Sequence, residues 1–256
     1  MSSRPKGQEN STLHDNLFKV SLSDPKITKE FFETYLPEEI KQLIDLNNLK
    51  AEKESFIDNE LGEGVVDILF QTEINQQPGY IYLLAEHQST VDEYMPFRLY
   101  KYILRICEYH RKKYPQDKYM PIVYPLIFYN GKNKYSGVLD LWGLYKDPEL
   151  ARRIMTEPFR LIDLNELSDE ELKQKAKVGL MCYVMKHIYD IDILQALKEI
   201  KPLLAELCQE NKSYTVSLIY YIMKKSDTKD MSKFVELFKD NEELAEEVMT
   251  IEQRLI

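Results

Sequence analysis

The amino-acid sequence predicts a mixed α/β (α+β) chain: a small sheet with flanking helices over residues 1–160, then an all-helical subdomain over 161–256. Three observations carry this reading. Two β-rich stretches, Val65 to Gln71 and Tyr80 to Glu86, flank the turn-forming Gln76-Gln77-Pro78-Gly79. A third apolar run, Pro121 to Tyr129, closes on Asn130-Gly131. Beyond Arg160 strand signals stop, and apolar residues recur at helical spacing as far as Ile256.

In chain order, a polar Met1 to Asn10 precedes Ser11-Thr12-Leu13-His14-Asp15, a hydroxyl residue with an acid three positions on, which predicts a helix start there. Leu17, Phe18, Phe31, Phe32, Tyr35 and Leu36 give apolar faces interrupted at Ser23-Asp24-Pro25, so two helices are expected before Pro37 and a further short one from Pro37 to Leu46. In the hairpin, Pro78 pre-sets the second turn position and Gly79 accepts the positive φ that a type II turn needs at the third. A helix from Phe97 to Tyr114 follows, its stripe of Leu99, Ile103, Ile106 and His110 expected to pack on the sheet. Pro125 inside the third strand points to a sheet edge, because proline cannot donate to a ladder. Ser168-Asp169-Glu170-Glu171 marks a helix start in the second subdomain.

Composition excludes several classes. With 44% apolar and 30% charged residues and only 8 Gly and 11 Pro in 256, the chain is neither collagen-like, nor low-complexity, nor wholly disordered. A net charge of −9 argues against coating nucleic acid or anionic membrane by bulk charge. Cys107, Cys182 and Cys208 form no CxxC or Cys/His array, which excludes a zinc ribbon and fits a reducing compartment. No apolar run approaches the roughly 18 residues of a membrane span, so a cytoplasmic protein is expected. There is no Gly-rich phosphate loop, GxSxG elbow or HExxH, and the four histidines have no metal-ligand spacing.

The hairpin carries the chemistry. Alternation along its second strand puts Tyr82, Leu84, Glu86 and Gln88 on one face, and Asp67 interrupts the apolar run of the first strand. Two ionised carboxylates brought together there would repel, and burying them unpaired costs several kcal/mol by order of magnitude. Two readings stand at this point: a divalent cation held by oxygen ligands, or acids that are solvated at strand ends or bound to arginine.

Asp67 in a strand, then Glu86-His87-Gln88 closing the next strand, followed by a basic helix, resembles the metal-site pattern of the PD-(D/E)XK nuclease superfamily. More closely, the chain resembles the bacterial recombination-promoting nuclease and putative transposase family. The residues carrying that resemblance are His14-Asp15-Asn16-Leu17-Phe18-Lys19, Val65-Val66-Asp67-Ile68-Leu69, Leu84-Ala85-Glu86-His87-Gln88-Ser89, Arg98-Leu99-Tyr100-Lys101-Tyr102 and Tyr124-Pro125-Leu126-Ile127-Phe128-Tyr129-Asn130-Gly131. Five blocks in order across the first 160 residues are far more specific than one D…ExQ match.

The resemblance implies a restriction-endonuclease-like core with a small mixed sheet, and a Mg²⁺-dependent DNA endonuclease that promotes recombination or transposition-like events. It implies metal binding by Asp67, Glu86 and the main-chain carbonyl of His87, with Asp15 on the first helix next to the site or at a second metal. Gln88 departs from the superfamily's usual lysine: it can orient water by hydrogen bonding but carries no charge. That departure calls for another cation, and Lys101 is the sequence's candidate.

Arg98, Lys101, Arg105 and Lys112 lie along one side of the predicted helix, and from Arg98 to Lys134 nine bases face two acids, a local +7. Arg98, Lys101 and Arg105 are therefore the candidate DNA contacts, against the alternative of an ordinary solvated helix face. From Leu161 onward 13 bases meet 19 acids, −6, so that half is expected to serve self-association, as in a homodimer, rather than phosphate contact. The competing reading is a DNA-binding or regulatory protein on the same fold with little or no catalysis, the change to Gln88 marking the loss.

Overall fold

The computed structural model describes residues 6–53, 65–86, 91–189, 193–225 and 232–255. The chain forms two compact units, Met1–Glu157 and Pro158–Ile256. In the first unit, α1 (Lys6–Ser23), α2 (Pro25–Tyr35) and α3 (Glu38–Lys41) precede the strands β1 (Lys50–Ala51), β2 (Val65–Ile74) and β3 (Gln77–Glu86). Then come α4 (Met95–Lys113), β4 (Ile122–Tyr129) and α5 (Pro148–Thr156). The sheet order is β1-β2-β3-β4. β1, β2 and β3 are antiparallel, whereas β4 runs parallel to β3. The sheet is therefore mixed, as a restriction-endonuclease-like core requires, and α4 is the crossover that a parallel pair demands.

The hairpin turn is not where the Pro-Gly pair suggested. Asn75 and Gln76 make it, with φ of 49° and 61°, the paired positive torsions whose twist matches antiparallel strands. Pro78 and Gly79 lie inside β3, opposite Glu73 and Thr72. Gly79 is needed for space: a Cβ there would stand 2.6 Å from Ile74 Cγ1 and 3.1 Å from the Ile122 carbonyl oxygen. Gly79→Ala is expected to destabilise the first unit by about 1–3 kcal/mol, the usual cost of overpacking. The check is the midpoint of a urea unfolding curve at unchanged slope.

Pro125 is tolerated because β4 is an edge strand. The two-residue β1 has no periodic signal and was not read from the sequence; it is fixed by pairing Lys50 and Ala51 with Gln71 and Phe70. α1 begins at Lys6 rather than at Ser11-Thr12, so Thr12 and Asp15 are interior helical positions and not a cap. Asp24 caps α2, its carboxylate accepting from the Lys26 and Ile27 backbone N–H groups at 2.8 and 3.3 Å, with Pro25 at the first turn. α3 stops at Lys41, short of Leu46, because Ile44 bridges to Ile74 instead.

β3 is buried on both faces from Tyr80 to Glu86, which explains its nearly continuous apolar run. One face packs Val66, Phe70, Ile81, Leu83 and Ala85 against Phe18 and Leu22 of α1 and Phe32 of α2. The other packs Leu69, Tyr80, Tyr82 and Leu84 against Met95, Leu99, Tyr102 and Ile106 of α4. The buried stripe of α4 thus passes through Tyr102, where the sequence pointed to Ile103. His110, also buried, lies 2.9 Å from the Tyr80 hydroxyl through Nδ1 and 2.9 Å from Asp117 through Nε2. It is a satisfied core histidine.

In the second unit, α6 (Asp169–Gln174), α7 (Ala176–His187), α8 (Ile193–Glu210), α9 (Lys212–Lys225), α10 (Ser232–Phe238) and α11 (Glu242–Leu255) enclose one core. It is built on residues such as Val184, Ile200, Leu204, Ile222, Phe234 and Val248. Ser168 and Glu171 form the capping box that opens α6. Asp169 then meets Lys186 at 2.7 Å and His187 at 3.0 Å. Partial burial raises the Asp169 pKa, but these two partners outweigh it and the net shift is downward. Its folded pKa is depressed, so its contribution to stability is present above the ordinary aspartate range and is lost as pH falls through the folded value. Asp169→Asn should therefore flatten the acid limb of the second unit's stability profile, measured by chemical denaturation from pH 6 downward. Among the described residues, no helix is long and apolar enough to cross a membrane.

Candidate active site

Register decides which acids meet. Asp67 pairs with Leu84 across the β2–β3 ladder, and Glu86 pairs with Val65 on one side and Tyr129 on the other. Paired residues share a face and so do residues two apart, which puts Asp67, Tyr82, Leu84 and Glu86 together on the face covered by α4. Asp67 and Glu86 are diagonal neighbours, a relation that places residues about 7–8 Å apart.

Glu86 is the unusual residue. It is 0% exposed, and neither carboxylate oxygen has a hydrogen-bond partner among the described residues. Burial pushes its pKa up, and the charge of Asp92 pushes it further; the Asp92 backbone N–H and Arg98 oppose the rise. That N–H is near enough to act on the charge without reaching hydrogen-bonding geometry. Asp92 sits in the segment before α4, where its Oδ2 is 2.7 Å from Arg98 Nη1. Tyr135 closes on the same acids: burial raises its pKa first, then the charges of Glu86 and Asp92. Its ring meets Tyr129 at 5.2 Å between centroids. The Asn130 backbone N–H donates to the Glu86 carbonyl at 2.9 Å, so the Asn130-Gly131 turn is tied to the end of β3. Gly131 lies so close to the Tyr129 hydroxyl that a Cβ would fall 2.0 Å from it.

Asp67 has a defined partner. The fully buried Tyr82 hydroxyl donates to its Oδ2 at 3.1 Å. Burial, then the charge and hydrogen bond of Asp67, drive the Tyr82 phenol far above its ordinary range, so Tyr82 is a fixed donor. Arg105 opposes that rise, and its guanidinium lies 6.0 Å from the Tyr102 ring centroid.

The other residues singled out in the sequence fall as follows. Arg98 and Arg105 are half-buried on the sheet-facing flank of α4, and Lys101 is exposed. Asp15 lies on α1, one turn before Phe18, whose ring meets Phe128 of β4 at 5.2 Å. Phe128 pairs with Ala85, so α1 crosses at the level of the residue before Glu86, in the layer opposite the one Glu86 faces. His87 and Gln88 lie outside the described residues. Sequence reasoning missed Asp92. Its only signal was an acid six positions after Glu86, which is unremarkable in a polar connection.

The donors suit a hard cation. Among the described residues no group of three or more His, Cys, Asp or Glu converges as a metal cage. Carboxylates supplying one or two ligands, with water and phosphate oxygens completing the shell, are nevertheless what Mg²⁺ commonly takes. A fully buried carboxylate with neither oxygen hydrogen-bonded among the described residues is the observation that fits such an ion.

A family model described as "Putative transposase, YhgA-like" matches residues 12–215, spanning the whole sheet and all the acids above. The chain belongs to this YhgA-like family. It is 33% identical over 247 residues to recombination-promoting nuclease RpnD of Escherichia coli O157:H7, covering 96% of this chain and 94% of the relative. It is 33% identical over 250 residues to recombination-promoting nuclease RpnA of Escherichia coli K12, covering 97% and 85%. It is 34% identical over 247 residues to the inactive recombination-promoting nuclease-like protein RpnE of Escherichia coli K12, covering 96% and 82%. No solved structure matches.

Proposed function

We propose that this chain is a Mg²⁺-dependent DNA endonuclease that hydrolyses phosphodiester bonds and so promotes recombination or transposition-like events. The observation that carries the reading is Glu86, buried on the same strand face as Asp67 with neither oxygen hydrogen-bonded among the described residues. Its relatives' names support the nuclease class.

Asp67 and Glu86 would hold the ion, with the His87 carbonyl as a main-chain ligand and Asp15 reserved for a second metal or the surround. Bound there, Mg²⁺ supplies Lewis acidity at the phosphate and an activated water. Tyr82 keeps one Asp67 oxygen occupied, so Asp67 is oriented rather than free to rotate. Gln88 orients the attacking water through its amide. Lys101, Arg98 and Arg105 grip the DNA backbone, within the stretch that is +7 in net charge. The acidic C-terminal helices serve self-association. Sedimentation of the full chain at rising concentration tests that point, with a dimer expected and a monomer throughout contradicting it.

Nicking of supercoiled plasmid tests the whole reading. Wild type should nick in Mg²⁺ and not in EDTA, and Asp67→Ala and Glu86→Ala should not nick. Equal nicking by all three would place the activity elsewhere. One observation favours a second reading, a binding protein without catalysis: a relative matched over nearly the whole chain is named inactive. DNA binding that persists in Glu86→Ala, with no cleavage by wild type in Mg²⁺ or Mn²⁺, would select it.

A further inference from the structure

We infer that Arg98, clamped by Asp92, is the cation that meets the scissile phosphate at this site, and that Asp92 is its positioning residue. The inference rests on the nuclease reading and extends it to residues that the acid pair alone does not explain.

The argument is one of charge and place. Glu86 and Asp92 are two acids at one end of the sheet, close enough for each to matter to the other, and a phosphate diester brings a third negative charge. Even with a divalent ion bound, a phosphate at this spot needs a further positive group, because like charges at short range in a partly dry site repel strongly. Arg98 stands in the first turns of α4, between Met95 and Leu99, which share a buried cluster with Leu84 on the strand face of Glu86. Lys101, one turn further along α4, is exposed, whereas Arg98 is half-buried.

Arg98 is also held in place. Its Nη1 meets Asp92 Oδ2 at 2.7 Å, and the Asp92 side chain is only 10% exposed. A surface pair between long side chains contributes little, but a nearly buried carboxylate fixes a guanidinium at small entropic cost. That contact is an ion pair without aligned hydrogen-bond geometry, and a guanidinium has five N–H donors to offer a phosphate. Asp92 in turn is positioned by the chain itself, its other carboxylate oxygen accepting from the Tyr94 backbone N–H at 2.9 Å just before α4 begins. The same carboxylate therefore braces the turn before α4 and pairs with the helix's first arginine. This gives the Asp92–Arg98 pair a role besides stability, and it offers a positive charge where Gln88 has none.

The test uses the full chain and single-turnover nicking of supercoiled plasmid in Mg²⁺. Ca²⁺ binding by calorimetry serves as a readout that needs no catalysis. Arg98→Gln should slow nicking about 100-fold, the scale of losing one charged donor to a developing oxyanion, and should change Ca²⁺ affinity less than about five-fold. Arg98→Lys should recover part of the rate, and millimolar guanidinium should partly rescue Arg98→Ala. Because Arg98→Gln leaves Asp92 without its cation and can unfold the site, the Asp92→Asn/Arg98→Gln double variant removes both charges. It should melt near wild type and nick as slowly as Arg98→Gln. A folded double variant that nicks within about three-fold of wild type overturns the inference, as does a loss of Ca²⁺ binding in Arg98→Gln that matches its loss of rate. Glu86→Gln separates the two levels. If it is inert while the double variant is active, only the Arg98 assignment fails; if it nicks like wild type, or wild type itself never nicks, the nuclease reading fails and the inference with it.

Discussion

Glu86→Gln is expected to abolish Mg²⁺-dependent nicking, a loss of at least about 10³-fold, while stabilising the metal-free protein by about 1–2 kcal/mol. Both effects come from one residue. A carboxylate that is 0% exposed, with neither oxygen hydrogen-bonded among the described residues, costs free energy in the absence of a cation. Glutamine keeps the shape and removes the charge. The pH dependence gives the sign. Glu86 has a folded pKa raised above its ordinary value of 4.5, first by burial and then by Asp92. Its contribution to stability is therefore complete below pH 4.5 and is lost as pH rises through the folded value. Metal-free wild type should weaken across that rise relative to Glu86→Gln, and added Mg²⁺ should restore wild type only. Urea unfolding of both proteins in EDTA, from pH 4 to pH 8, measures this; parallel profiles would show that the carboxylate is satisfied after all.

Asp67→Ala should cost as much activity, at least about 10³-fold, with the opposite effect on stability. Here the acid is already engaged, accepting the buried Tyr82 hydroxyl at 3.1 Å. Removing the acceptor forfeits a hydrogen bond to a charged group, about 1.5–3 kcal/mol, so this variant should melt below wild type. Two substitutions that silence the same chemistry should thus move stability in opposite directions. Simple misfolding of both variants would not produce that pattern. Thermal melts alongside the nicking assay test it, and a common direction would mean that the two acids are not in the different surroundings described.

The placement of these acids was legible in the sequence for a reason that survives an error. A turn at Pro78-Gly79 would have paired Gln77 with Tyr80, whereas Ile74 pairs with Gln77, a slip of six residues in register. Six is even, so every side chain keeps its face and Asp67 and Glu86 share one with either turn; only the observed turn makes them diagonal neighbours, since the other would set Glu86 opposite Gln71. The turn itself was misread because Pro-Gly is a strong local turn signal, while the need of Gly79 to clear Ile74 and the Ile122 carbonyl exists only in the folded sheet. The helix over the site was legible because its apolar stripe, from Leu99 to His110, runs about three turns. Asp92 was not legible, since an acid in a connecting segment gains meaning only when Arg98 and Glu86 come to it. The net charge of −9 was similarly uninformative, because it averages a basic stretch of +7 with an acidic helical half of −6.

The most direct test of the central claim is anomalous scattering from crystals of the full chain soaked in Mn²⁺. The expected result is a Mn²⁺ peak within bonding distance of Glu86 and Asp67, abolished in Glu86→Gln. A protein that nicks DNA in Mn²⁺ yet shows no peak at these carboxylates, or shows its peak elsewhere, would contradict the assignment of this site.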